Sequence, residues 1–218
     1  MGTMSLRLFH VTEFAHSMLS PAEQRESRHS AFLILIGALW LALVSNLPLW
    51  RSLYHLPVGL GGLLWLVLCF ALINTAALGL LLSALNWSRI LRPVLTLLLW
   101  LCALNTLLLW TGHAPLRWAT EVANWKTMLA PIGRIDWWKS TLALVLLALI
   151  PSIWLWRAEL RRMTLPVRLS HNLLLGLFHA GLLIAFWSLG RQTLLPLLQE
   201  HPRWLELLSP FNSLLTLR

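Results

Sequence analysis

Charge is scarce in this chain. Asp, Glu, Lys and Arg make up 11% of its 218 residues, against about 25% in a soluble domain, too few to coat a water-facing surface. Lysine occurs only at Lys126 and Lys139, so nearly all of the 17 basic residues are arginine. The net charge of +9 is scattered through polar segments without a basic run, which speaks against nucleic acid and for a membrane surface. The two cysteines, Cys69 and Cys102, lie inside apolar runs, where a thiol is a small packing residue. Without a C-x-x-C pair there is no redox or zinc spacing. The eight histidines are dispersed. There is no H-E-x-x-H, no G-x-S-x-G and no phosphate loop. No catalytic residue, metal ligand or cofactor site is assigned.

Apolar length is what the chain has in abundance. Hydrophobic residues make up 58% of it. They gather in "AFLILIGALWLALVSNLPLW" (31–50), "VGLGGLLWLVLCFALINTAALGLLLSAL" (58–85), "PVLTLLLWLCALNTLLLWTG" (93–112), "STLALVLLALIPSIWLW" (140–156) and "NLLLGLFHAGLLIAFWSLG" (172–190). None of these runs contains Asp, Glu, Lys or Arg. A hydrocarbon core of about 30 Å needs roughly 20 helical residues. The expected fold is therefore all-α: a polytopic membrane protein with a five-helix transmembrane bundle and interfacial amphipathic helices. The first run starts too late and is too long for a cleaved signal peptide.

The expected layout has an interfacial amphipathic segment over 1–30, a membrane domain over 31–190 and an amphipathic segment over 191–218. The short, Arg-rich stretches "NWSRILR" and "RAELRRMTLPVR" put the N-terminus on the cytoplasmic side and the C-terminus outside. Tryptophans at 50, 87, 110, 118, 137, 138, 156 and 187 read as aromatic belts at the span ends. In the tail "HPRWLELLSPFNSLLTLR" (201–218), Trp204, Leu207, Leu208, Phe211, Leu214 and Leu215 form a stripe expected to rest in the outer interface with Arg203 facing water.

Polar chemistry has two places to gather. The long loop 113–139 holds Glu121, Asn124, Lys126, Thr127 and Arg134, candidate contacts for a lipid headgroup, since arginine suits phosphate. Inside the spans, His179, Asn74 and Asn105 are the polar candidates. An intramembrane ionisable group is a functional hypothesis by default, and the plainer reading of all three is interhelical hydrogen bonding. No carboxylate pair lies in a span, which argues against a proton-coupled transporter.

The order of "ALWLALVSNLPLWRSL" (38–53), "RILRPVLTLLLWLCALN" (89–105), "LALIPSIWLW" (147–156) and the closing "HPRWLELLSPFNSLLTLR" resembles the N-terminal membrane domain of the lipid A phosphoethanolamine transferases, the family of the mobile colistin-resistance enzymes. The resemblance implies five spans in the bacterial inner membrane, a bridging segment and a zinc-dependent periplasmic domain that carries the catalytic Thr and all metal ligands. In the 113–139 loop Thr127 takes the family's Thr place, Ala123 stands at its Asn place with Asn124 beside it, and "MLAPIGRID" replaces an acidic stretch. The chain is accordingly expected to accommodate membrane lipid, phosphatidylethanolamine above all, or to anchor a separate periplasmic catalytic domain. It is not expected to be catalytic alone. The alternative is a small transporter, flippase or assembly protein.

Overall fold

The computed structural model describes residues 30–87, 90–113, 115, 130, 136–158 and 165–211. Among them every regular element is helical. In chain order these are α1 (Ser30–Leu43), α2 (Leu47–Tyr54), α3 (Leu60–Ala84), α4 (Leu91–Trp110), α5 (Trp137–Leu144), a π-helical turn (Val145–Leu149), α6 (Ile150–Arg157), α7 (Leu165–Glu200) and α8 (Arg203–Leu207). Four continuous stretches are long and apolar enough to cross a membrane: α3, α4, Trp137–Arg157 and α7. The pair α1 and α2, bent by 45°, makes a fifth if it is one span. The protein is an all-α polytopic bundle.

α3 packs between α1 and α7, while α4 packs against the α5–α6 span. The main core forms where α1, α3, α4 and α6 meet, around Leu33, Ile34, Leu41, Leu78, Leu82, Leu91 and Leu95. We call the end carrying Tyr54, Trp110 and Glu200 the mouth. At the opposite end, Asn86 donates to Ser30 Oγ (3.0 Å) and Asn172 Oδ1 (2.8 Å), tying α1, α3 and α7 together.

The break in the first span follows from Pro48, which has no N–H to offer the carbonyl of Val44 one turn back. Backbone groups cannot be left unpaired in a lipid-like interior, and here side chains take over. The Asn46 amide donates to the carbonyls of Leu41 (3.2 Å) and Ala42 (2.9 Å). Trp50 Nε1 donates to Leu43 (2.7 Å), and Thr106 Oγ1 to the carbonyl of Ser45 (2.7 Å). The same logic operates in the fourth span. Pro151 cannot pair with the carbonyl of Leu147, and Trp40 Nε1 reaches across from α1 to donate to it at 3.3 Å.

Two features depart from the pattern of apolar runs. Where the last run covers 172–190, the helix occupies Leu165–Glu200, about 54 Å at 1.5 Å per residue, longer than the hydrocarbon core. Trp187 therefore lies within the helix and not at its end. The stretch after α7, as far as Phe211, is packed on the bundle. It turns back: Trp204 is only 4% exposed and Ser209 fully buried, and Phe211 packs against the main core. An amphipathic stripe has the same spacing whether its apolar face meets lipid or protein. At Trp204 and Phe211 it meets protein.

Candidate functional site

A cavity of about 840 Å³ opens at the mouth, within the roughly 300–1,000 Å³ common for ligand sites. α2 contributes Ser52, and the end of α4 contributes Leu109, Gly112 and His113. The α7–α8 corner contributes Glu200, His201, Arg203 and Trp204. Gly112 has φ of +79°, a left-handed conformation that glycine adopts without strain and that ends α4. Just beyond it, His113 Nδ1 lies 2.8 Å from Thr111 Oγ1. Arg51 sits 5.3 Å from the Trp110 ring centroid, a cation–π contact joining α2 to α4 at the same end.

The far wall is lined by His201, Pro202, Arg203, Trp204 and Leu207. His201 stacks on Trp204 with ring centroids 4.6 Å apart. The Trp204 indole donates to Ser52 Oγ at 3.0 Å and meets Phe70 edge-on at 6.3 Å. The cavity lining thus includes an acidic residue, Glu200, and a basic one, Arg203. A site with one group of each sign suits a zwitterion.

Beneath this wall three asparagines from separate elements converge on Ser209. Asn46 Oδ1 accepts the Ser209 N–H at 2.8 Å, and the Asn46 amide donates to the Ser209 carbonyl at 3.2 Å. Asn74 of α3 donates to the same carbonyl at 3.2 Å, and Asn105 of α4 donates to Ser209 Oγ at 3.1 Å. All four residues are buried, none more than 2% exposed. Interhelical hydrogen bonds in membranes average about 0.6 kcal/mol and reach about 1.7, so the cluster as a whole holds the segment firmly. Asn74 Oδ1 is left without a partner.

His179 is 2% exposed and lies between α3 and α7. Its Nδ1 is 2.8 Å from the carbonyl of Leu175 and 3.4 Å from Ser83 Oγ. An oxygen acceptor this close places the proton on Nδ1. The ring fills the space left by Gly79, where a Cβ would lie 2.1 Å from His179 Cδ2.

Of the residues singled out from sequence, Asn74 and Asn105 meet at Ser209, and His179 stands apart in the α3–α7 seam. Glu121, Asn124, Lys126, Thr127 and Arg134 lie outside the described residues, as does the 1–29 segment. Glu200, Arg203, Asn46 and Ser209 were not picked out as site residues. The signal available for the last two was an isolated polar side chain beside a proline in an otherwise apolar stretch, at Asn46-Leu-Pro48 and Ser209-Pro210. Among the described residues no three His, Cys, Asp or Glu side chains converge as metal ligands.

Residues 126–217 match the protein family Phosphoethanolamine transferase EptA/EptB. The matching domain is the N-terminal, membrane part of those transferases. No curated protein and no solved structure matches the chain. The matched stretch includes the fourth span, α7, the α7–α8 corner with Glu200 and Arg203, and Ser209. The three asparagines that grip Ser209 precede it. The EptA/EptB-like part is thus joined to the first three spans at the Ser209 cluster as well as by helix packing.

Proposed function

We propose that the whole chain is a membrane domain of the phosphoethanolamine transferase type, and that its mouth cavity takes the headgroup of phosphatidylethanolamine. The observation that carries this reading is the EptA/EptB match over 126–217, which includes the cavity's charged pair, Glu200 and Arg203. A guanidinium binds phosphate through a rigid fork of donors. A carboxylate accepts hydrogen bonds from a primary ammonium, and a choline headgroup has none to give. The cavity is wide enough for a headgroup and opens beside the exposed Trp110, where interfacial depth is expected.

In this reading the protein resides in the bacterial inner membrane, N-terminus in the cytoplasm and mouth in the periplasm. It presents lipid to a zinc-dependent catalytic domain outside the described structure and holds no metal itself. Its work belongs to lipid A modification. Glu121, Asn124, Lys126, Thr127 and Arg134 are further candidate headgroup contacts in this reading, on the sequence alone.

Native mass spectrometry of the chain released from nanodiscs of mixed phosphatidylethanolamine, phosphatidylglycerol and phosphatidylcholine tests the reading. Retention of one phosphatidylethanolamine in preference to the other two is expected. Equal retention of all three would overturn it.

A further inference from the structure

We propose that residues 201–211 form a strap locked into the bundle by Asn46, Asn74 and Asn105, and that this lock sets the wall of the headgroup cavity. The inference rests on the cavity reading above for its functional meaning, while the lock itself stands on geometry alone.

The strap begins where α7 ends at Glu200 and reverses direction through α8. Helix packing does not dictate that reversal. α7 packs against α3, and a chain leaving it at the mouth could continue outward. Three side-chain amides instead bind one residue, Ser209, at its N–H, its carbonyl and its hydroxyl. Every polar group of Ser209 is engaged, and each asparagine comes from a different element of the first three spans. Fully buried asparagines are costly in an apolar bundle unless partnered. With the strap removed, Asn74 and Asn105 would lose the hydrogen bonds described here. The cradle is therefore shaped for an occupant, and the occupant is this segment of the same chain.

The consequence for the cavity is direct. His201, Pro202, Arg203, Trp204 and Leu207 are at once strap residues and cavity lining. Ser209 lies two residues beyond Leu207, so seating Ser209 fixes where the Arg203 guanidinium and the Trp204 indole stand. The three asparagines touch no ligand; they are positioning residues. The cradle also retains an unpartnered acceptor, Asn74 Oδ1, so its hydrogen bonding is not saturated. Strap and cavity then form a linked pair: whatever binds against the strap wall favours the locked state, and the lock favours binding by the same factor.

Hydrogen–deuterium exchange tests the lock in the full chain, in nanodiscs of phosphatidylcholine and phosphatidylglycerol without phosphatidylethanolamine. Peptides covering 203–211 should exchange at least about tenfold more slowly than an unstructured segment. Asn46→Ala and Asn105→Ala should each raise that exchange while α3 and α4 stay protected. Rapid exchange of the strap in the unsubstituted chain would overturn the proposal, and so would no change in either variant. If both variants lose protection throughout, Ser209→Ala decides: selective loss of strap protection supports the lock, and unchanged protection overturns it. None of these outcomes depends on which lipid the cavity takes, so failure of the lipid reading would be seen separately.

Discussion

The side-chain amide of Asn105 donates to the hydroxyl of Ser209 across 3.1 Å, although 104 residues separate them in the chain. One residue belongs to the fourth helix in sequence order, the other to the turn after the last. Their contact makes the end of the described chain an integral part of the bundle. A double-mutant cycle of Asn105→Ala and Ser209→Ala, read by unfolding in mixed micelles, should give a coupling energy of about 1 kcal/mol, the scale of interhelical hydrogen bonds in membranes. Strict additivity would mean the two groups do not interact.

Gly79 is a second test of the packing. A methyl group there would lie 2.1 Å from the His179 ring and 2.3 Å from its Nε2, closer than real atoms approach. Gly79→Ala should destabilise the α3–α7 pair by about 1–3 kcal/mol, the usual penalty for overpacking. His179→Ala vacates the same space, so adding Gly79→Ala to that variant should be nearly neutral. Gly61→Ala meets no neighbouring atom and serves as the control. Thermal denaturation of the four variants in one detergent measures the set.

Trp40 offers a test of backbone satisfaction. Its indole N–H takes the Leu147 carbonyl that Pro151 cannot pair. Trp40→Phe keeps the ring and removes the donor, so a loss of about 1 kcal/mol is expected. In a Pro151→Ala background the backbone can supply its own N–H, and the same substitution should have little effect. An equal loss in both backgrounds, measured by chemical denaturation, would refute this role for the indole.

The spans were legible because lipid imposes one simple demand, a run of apolar residues about as long as the hydrocarbon core is thick. That demand says nothing about where a helix ends. Arg191, Gln192 and Glu200 leave the apolar run and stay in the helix, because polar residues do not break helices once water is available. The tail was harder. The spacing of Trp204, Leu207, Leu208 and Phe211 reports one apolar face without saying what covers it. Only the buried partners of Ser209 decide that, and they sit in three distant segments. Asn74 and Asn105 stood out in sequence as polar residues in apolar runs. Their common target did not, since neither points to position 209 by any periodicity. The loop residues Glu121, Asn124, Lys126, Thr127 and Arg134 lie outside the described residues and stay sequence-based candidates.

The functional claim is tested most directly by how the chain discriminates between headgroups once one charge is removed. Glu200→Gln keeps the shape of the cavity and deletes the carboxylate that would receive an ammonium, leaving Arg203 to bind phosphate. The decisive measurement is the ratio of retained phosphatidylethanolamine to retained phosphatidylglycerol, by native mass spectrometry, in the unsubstituted chain and in this variant. The account predicts a clear preference for phosphatidylethanolamine that collapses to parity in Glu200→Gln. An unchanged ratio would contradict it.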